Sequence, residues 1–381
     1  MSKMSICHIT VAHNSDDIRI FEKECLSLAN AGYDVHLIAA GRKNNSFVLG
    51  LVNIYEVSVK SNPLFRILFG ARKVYRKALS VDAELYHFHD IELFIYGIKL
   101  IKKGKKVIFD SHEDWIGYMQ EITWLPVGFR KIAALVVRRL YRKYLSKFNA
   151  VISVSPNIVS SLKNFSSKVF MVSNYPIIND NVHCFSLEEY SERENVLVYS
   201  GTVYRDSNLL TITSVINELG SVKYYVVGNS KPEIREQVKR VDVTGKVIFC
   251  GFVKRGVVDR FYSEAVAGMA IFNYNEHSGG RVGTLGSNKL FEYMYAGLPV
   301  ICSNQSLWKE RIIDKYNCGI AVQPGNVKQI KSAIEFIVNN KQIAYKMGMA
   351  GRQAILKEFN WKTQEEELLK VYKFVLNDEE C

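Results

Sequence analysis

The sequence predicts an α/β protein of two Rossmann-like domains, each a doubly wound parallel sheet, facing a cleft. Three observations predict it. The 381 residues exceed what one hydrophobic core organises, so two domains are expected. Short apolar runs alternate with amphipathic stretches of helical period, the pattern of strand–helix–strand units. The alternation breaks once, at residues 174–194, and then restarts.

In the first half, strands are expected at 6–11, 35–39, 85–88, 107–109, 151–154 and 169–172. Between them lie helices at 18–31, ended by Gly32, at 64–79, basic in character, at 93–103, stopped by Gly104, and at 128–148. Pro156 suits the first turn of another. The polar, acidic stretch that follows reads as a linker. The second half has strands at 196–200, 224–227, 247–249, 269–272 and 300–302, with helices at 209–219, from Pro232, at 257–267 and from Ser287. Helices at 327–339, 342–357 and 362–376 close the chain. The expected domains are therefore 1–178 and 195–360, joined by a linker at 179–194, with residues 361–381 a last helix packing back toward the first domain. G-x-G-x-x-G occurs in neither half, which removes the main support for a dinucleotide-binding dehydrogenase.

Composition narrows the classes. With 48% hydrophobic and 23% charged residues the chain is ordinary globular protein, and no apolar run reaches the ~18–20 residues that span a bilayer. Residues 6–12, interrupted by His8 and Thr10, do not make a signal peptide, so a cytoplasmic protein is expected. Seven cysteines without C-x-x-C argue against a disulfide framework or a zinc site, and Cys7, Cys250 and Cys302 read as small apolar residues in buried strands. Positive charge is lopsided. Residues 1–180 carry 25 Lys/Arg against 15 Asp/Glu, the remainder 25 against 23, and 122–179 holds nine basic side chains and no acidic one. Such asymmetry points to an anionic partner for the first half alone. In the 128–148 helix, Val137, Leu140, Tyr141, Tyr144 and Phe148 share a face, while Arg138, Arg139, Arg142, Lys143 and Lys147 line the other with Ile132, Leu135 and Val136 among them. A core helix with a solvated basic face and an interfacial helix on anionic lipid fit this equally well.

The most informative stretch runs from Ser287 to Cys302. Ser287 and Asn288 are N-cap types following a loop rich in glycine (Gly279, Gly280, Gly283 and Gly286), which makes a ready anion site. Leu290, Phe291 and Met294 are spaced for a core, yet Glu292 stands among them, and a carboxylate there needs hydrogen-bond donors such as ribose hydroxyls. Lys289 opposes the helix dipole at the first turn and suits a phosphate. A nucleotide diphosphate satisfies all three.

Four motifs together resemble the retaining, sugar-nucleotide-dependent family 4 glycosyltransferases of GT-B fold, in their bacterial surface-polysaccharide branch. They are His13-Asn-Ser-Asp-Asp-Ile-Arg-Ile-Phe-Glu-Lys-Glu24 with Ala31-Gly-Tyr-Asp-Val35, the pair His87-Phe-His-Asp90 and Phe109-Asp-Ser-His-Glu-Asp114, Ser200-Gly-Thr-Val-Tyr-Arg205, and Asn288-Lys-Leu-Phe-Glu-Tyr-Met-Tyr-Ala-Gly-Leu-Pro299. The resemblance departs at two places: the first of two glutamates eight positions apart falls on Thr284, and a basic residue after the nucleotide-domain loop falls on Ser207. Arg205, Arg281 and Lys289 are the available cations.

The resemblance implies transfer of a sugar, from a UDP-sugar for preference, to a lipid-linked saccharide in O-antigen or capsular polysaccharide synthesis. It places His112 against the donor sugar as a positioning group. Arg205, Lys289 and Arg281 with the N–H groups around Ser287 and Asn288 face the departing diphosphate, and Glu292 holds the ribose. Gly201 lets the backbone approach the donor, and His13, Asp17, Arg19 and Asp90 shape the acceptor side. Lys23 and Glu24 read equally as an ion pair on the first helix or as functional groups. His87 and His89, taken as alternating strand residues, are expected on opposite faces, one toward the core and the other, with Asp90, toward the cleft. His-x-His and Asp-x-His spacings suggest a metal, but the other ligands are scattered and Asp-x-Asp is absent, so neither metal nor cofactor is expected. The expected partners are the nucleotide sugar, the lipid-linked acceptor and the anionic inner face of the cytoplasmic membrane. A sugar-nucleotide epimerase or hydrolase of the same fold is the second enzyme reading. A nucleic-acid-binding protein, the third, lacks an aromatic-interleaved basic sheet or a helix-turn-helix signal.

Overall fold

A computed structural model describes residues 3–60, 62–122, 125–179, 185–275 and 279–377. The chain divides into two compact units, Met1–Asn174 with Trp361–Cys381, and Tyr175–Asn360.

The first unit contains strands β1 (Ser5–Ile9), β2 (Asp34–Gly41), β3 (Asn45–Leu49), β4 (Val52–Ser58), β5 (Leu85–Phe88), β6 (Lys106–Ser111), β7 (Ala150–Ser153) and β8 (Val169–Met171). They form one sheet in the order β3-β4-β2-β1-β5-β6-β7-β8, parallel except for β3 against β4. The β3–β4 hairpin was not expected from sequence. Every residue of β3 is exposed, so this edge strand carries no burial pattern to read. Helices Pro63–Phe65, Arg66–Gly70 and Ala71–Leu79 run on continuously, and Asn62 caps the first of them by accepting from Leu64 N–H at 3.0 Å. Ala71, Val74, Tyr75 and Ala78 share one core with Phe94 and with Ala134, Val137 and Tyr141 of the Val127–Tyr144 helix, so these helices cover the same sheet face.

The second unit contains β9 (Val196–Ser200), β10 (Lys223–Val227), β11 (Val247–Gly251), β12 (Ala267–Ala270), β13 (Val300–Ser303) and β14 (Gly319–Val322), ordered β11-β10-β9-β12-β13-β14 and all parallel. All five residues of β9 are buried, the continuous apolar run of a strand covered on both faces. Part of the expected linker is structured. Leu187–Glu192 is a helix closed by a capping box between Ser186 and Glu189, and Phe185 and Tyr190 lie in the second unit's core. Residues 180–184 of that stretch lie outside the described residues. The last helix, Trp361–Asn377, belongs to the first unit, where Trp361 Nε1 donates to Ser27 Oγ at 3.0 Å. Cys7 and Cys302 are buried as expected, whereas Cys250 is only partly so.

Strand order reverses between β1 and β5 in the first sheet and between β9 and β12 in the second. Crevices at the carboxyl ends of strands flanking such a reversal are where α/β sheets bind ligands. The polar clusters described next lie at these two places.

Candidate active site

In the second unit, β9 ends at Ser200 and the chain turns through Gly201, whose φ of +111° is a left-handed conformation that side chains resist. Gly201 N–H donates to Val227 O at 2.8 Å, and a Cβ on Gly228 would sit 2.2 Å from the Gly201 carbonyl oxygen. Bare backbone thus joins the ends of β9 and β10. Over it lies Lys289, whose Cε would be 2.9 Å from a Cβ on Gly201. The ammonium sits 5.4 Å above the Tyr199 ring and 5.5 Å above Phe272. Burial lowers its pKa from the ordinary lysine value, and Glu292 and Asp206 oppose that shift. A partly desolvated cation on an aromatic floor, next to a glycine turn, binds an anion more strongly than a hydrated lysine does.

Lys289 belongs to the helix Asn288–Tyr295, and Ser287 is its N-cap in backbone conformation only, with no side-chain capping hydrogen bond. Among the described residues, the donors of that first turn therefore keep the anion affinity of a helix start. One turn on, half-buried Glu292 accepts from Tyr262 OH at 3.3 Å. Tyr262 OH also bonds Ser200 Oγ at 2.7 Å, and Tyr293 OH accepts from Ser200 N–H at 2.9 Å. Burial holds both phenols well above their ordinary pKa. Gly268 of β12 makes this possible, since a Cβ there would lie 2.2 Å from the Tyr293 ring. Tyr262 and Tyr293 were missed from sequence because each sits at core spacing on its helix.

Ser207 is turned inward, its Oγ accepting from Tyr204 N–H at 3.1 Å. Arg205 is exposed beside a hollow lined by Tyr204, Asn208 and Asn273, and Arg281 is exposed with its guanidinium 4.9 Å from the Tyr274 ring. Of the three cations read from sequence, Lys289 is the one packed against Gly201. Asp206, also missed, links the loops after β9 and β12, accepting from Asn275 Nδ2 at 2.6 Å and, through its carbonyl, from Asn273 N–H at 2.8 Å.

In the first unit the sheet reversal encloses charge. Arg19 is buried, donating from Nε and Nη2 to Asp110 Oδ2 at 3.1 and 2.9 Å and from Nη1 to Val172 O at 3.1 Å, with Glu24 Oε1 3.1 Å from its Nε. Arg19 is thus a buried bridge rather than an open loop residue, because a guanidinium matches several oxygens at once. Lys23 and Glu24 do not pair with one another: Lys23 Nζ donates to Asn174 Oδ1 at 2.6 Å, and Glu24 lies against Arg19. His87 and His89 share a face instead of dividing between two, their rings stacked at 4.5 Å. Residues two apart on a pleated strand point the same way, so the opposite assignment was an error of period. Asp90 is buried, its Oδ2 accepting from Thr10 Oγ1 at 2.8 Å, Val11 N–H at 2.6 Å and Ala12 N–H at 3.1 Å, so it holds the loop after β1 rather than reaching outward. His13 and Asp17 pair at 3.1 Å, and Asp17 Oδ1 caps the following helix through Ile20 N–H at 3.0 Å. His112 Nε2 lies 2.8 Å from Asp110 Oδ2 and 3.1 Å from Arg19 Nε. Asp114 caps the Trp115–Glu121 helix.

Burial drives these groups apart in charge. It lowers the pKa of His8, His87 and His89 from 6.5 and raises that of Glu24 from 4.5. Burial works against the Asp110 carboxylate as well, but Arg19 and His112 overcome it and hold Asp110 well below the usual range. Stability should accordingly peak near pH 6.5, the ordinary histidine value. Below it, unfolding takes up three protons that the folded imidazoles refuse, while Glu24 releases one until its ordinary value of 4.5 is reached. The three imidazoles set an upper slope of roughly 4 kcal/mol per pH unit, and the raised Glu24 subtracts from it above its ordinary value of 4.5. Above the peak, the raised Glu24 proton is held only by the folded state, so its contribution is lost as pH rises through the folded pKa. Hydrogen exchange of β1 and β5 amides across pH 5–8, corrected for intrinsic rates, reads this unit alone. A stability that climbs steadily to pH 8 would show Glu24 to be ionised.

With this geometry in place, two family models match. One described as Glycosyltransferase Family 4 covers residues 23–174, and one described as Glycosyl transferases group 1 covers 187–354. The chain is a family 4-like GT-B glycosyltransferase. An uncharacterized glycosyltransferase of Methanocaldococcus jannaschii is 24% identical over 300 residues, 74% of this chain and 72% of that one. Among solved structures, sucrose-phosphate synthase from Thermosynechococcus elongatus superposes with a TM-score of 0.76 at 17% identity, covering 99% of this glycosyltransferase and 100% of the synthase. Anabaena HepE, solved with UDP-glucose, has a TM-score of 0.69 at 12% identity, covering 97% and 99% of the two chains. WaaG, a glycosyltransferase involved in lipopolysaccharide biosynthesis, has 0.69 at 14%, with the same coverage. At these identities the solved structures establish the fold of the glycosyltransferase and nothing finer.

Proposed function

We propose that the enzyme transfers a sugar, with retention, from a UDP-sugar to a lipid-linked saccharide at the inner face of the cytoplasmic membrane, in O-antigen or capsular polysaccharide synthesis, without a divalent metal. The observation that carries the donor reading is Lys289 packed on Gly201 with Glu292 one turn away. The anomeric C–O bond to the diphosphate breaks as an acceptor oxygen bonds to that carbon on the same face, and the acceptor proton passes to a diphosphate oxygen. Negative charge grows on the diphosphate, where Lys289 and the first-turn N–H groups of its helix oppose it. Glu292 accepts from the ribose hydroxyls, and Tyr262 orients its carboxylate. In the first unit, His112 is the group assigned to the donor sugar. HepE's complex with UDP-glucose and WaaG's role in lipopolysaccharide biosynthesis favour the donor and the pathway.

Glu292→Ala should weaken binding of the nucleoside diphosphate roughly tenfold to a hundredfold, the loss of about 1.5–3 kcal/mol expected for hydrogen bonds to a charged group. Calorimetry with UDP tests it, and unchanged affinity removes the ribose assignment.

The membrane reading rests on the first unit's surface. Among the described residues no helix is long and apolar enough to cross a membrane. Yet Leu64, Phe65, Leu68 and Phe69 are exposed at one helix start, and Val127, Phe129 and Ile132 at another. Both helices return from parallel strands on the same sheet face, so their starts lie along one sheet edge. Arg138, Arg139, Arg142 and Lys143 are exposed beyond them. Reversing Arg138, Arg142 and Lys143 to glutamate changes the charge by six units, about 6 kcal/mol at an anionic surface before salt screening. Sedimentation with anionic liposomes should then be lost while donor hydrolysis survives. Undiminished binding at 0.1 M salt would make this an ordinary helix face.

A further inference from the structure

Beneath His112 the first unit contains a run of buried ring nitrogens that the proposed transfer does not use. His112 Nε2 lies 2.8 Å from Asp110 Oδ2, and His89 Nδ1 lies 3.5 Å from that oxygen and 3.4 Å from His112 Nε2. His89 Nε2 is 3.0 Å from His8 Nδ1, His8 Nε2 is 3.0 Å from Tyr372 OH, and Tyr372 OH is 2.7 Å from His87 Nδ1. His8, His87, Asp110 and Tyr372 are fully buried, and His89 nearly so.

Chemistry gives this run a direction. Arg19 keeps Asp110 ionised and acceptor-only, so His89 faces it as Nδ1–H. A neutral imidazole has one donor and one acceptor, so His89 Nε2 accepts and His8 Nδ1–H donates to it. His8 Nε2 then accepts from the Tyr372 hydroxyl, whose oxygen accepts from His87 Nδ1–H. Every protonation from His89 to His87 follows from the charge on Asp110.

We propose that this directional chain makes His8 and His89 positioning residues for His112, anchored by Tyr372 of the last helix. Asp110 Oδ2, Arg19 Nε and His89 Nδ1 all lie against His112 Nε2, at 2.8, 3.1 and 3.4 Å, which fixes the imidazole with Nε2 inward and leaves Nδ1 as its other nitrogen. A ring so oriented presents Nδ1 to a sugar hydroxyl. Its bearing on transfer rests on the assignment of His112 to the donor sugar.

A metal held by His8, His87, His89 and Glu24 is the competing account, since Glu24 Oε2 is 3.9 Å from a nitrogen of each histidine. Two features oppose it. His8 Nδ1 and His89 Nε2 are close enough to share a proton, whereas a metal needs lone pairs on both. Arg19 already stands 3.1 Å from the other Glu24 oxygen.

Nitrogen-15 NMR of the full chain labelled at histidine, by two-bond correlation at pH 7, tests the chain without any substrate. His8, His87 and His89 are expected neutral and as Nδ1–H tautomers. His8→Leu should leave His89 in mixed tautomers and lower kcat for donor hydrolysis about tenfold, with KM within about twofold. His8→Asn, which keeps an N–H toward His89, should restore both readouts. Should His8→Leu fail to fold, the wild-type tautomers still decide. A charged or Nε2–H form of His8 or His89, or a stoichiometric transition metal in the purified protein, overturns the proposal. If the wild-type protein hydrolyses no sugar nucleotide, the donor reading fails while the tautomers continue to test the chain.

Discussion

Lys289→Met should lower turnover of the sugar-nucleotide donor by about 10²–10³-fold, the effect of removing one preorganised group that faces developing negative charge. Methionine keeps the length and apolar stem that lie over Gly201, Tyr199 and Phe272, so packing is largely preserved and the charge alone is lost. The effect should fall mainly on kcat, because the diphosphate gains negative charge as the glycosidic bond breaks. Arg205→Met and Arg281→Met, at exposed positions, should each cost far less. The same assay in excess EDTA should stay within about twofold of control if side chains rather than a divalent ion stabilise the leaving group. A Lys289→Met enzyme that turns over within threefold of wild type, or a wild type silenced by EDTA and restored by metal, would transfer that role to another group.

This prediction comes from a segment whose oddities are contiguous. Lys289 and Glu292 stand three residues apart on one short helix, each at odds with the apolar positions beside it, and both are readable without a structure. The supporting tyrosines are not. Tyr262 comes from the Arg255–Glu264 helix and Tyr293 from the core stripe next to Glu292, and only the close approach allowed by Gly268 shows that their hydroxyls meet at Ser200. Strand positions were legible in outline because parallel strands buried on both faces are short continuous apolar runs. The β3 edge, fully exposed, left no such trace. The first unit's polar cluster was the least legible, since its members are drawn from residues 8, 19, 24, 87, 89, 110, 112 and 372 and are joined by pairing across strands rather than by spacing. Read alone, each histidine resembles an exposed or structural residue. Glu24 and Arg19, five apart on a helix, gain meaning only when β6 brings Asp110 between Arg19 and His112.

Arg19→Met should be the most destabilising single change in the first unit. The guanidinium compensates Asp110, which is fully buried and ionised, and also holds Val172 O beyond the end of β8. Taking away one partner of a buried pair leaves an uncompensated charge and costs roughly 3–5 kcal/mol. For a unit of this size that is a fall in melting temperature of roughly ten degrees. Arg19→Lys should recover little, since a single ammonium cannot reproduce the four hydrogen bonds made from one planar fork. Pairing Arg19→Met with Asp110→Asn should recover a good part of the stability, because the charge that needed compensation is then gone, while leaving donor hydrolysis low through loss of the His112 partner. That separation is the decisive measurement: a non-additive recovery of stability without recovery of turnover identifies Arg19 as the counter-charge of Asp110. Additive losses in the double variant would mean that Arg19 acts through its bond to Val172 instead, and that the Asp110 carboxylate is stabilised by the histidines alone.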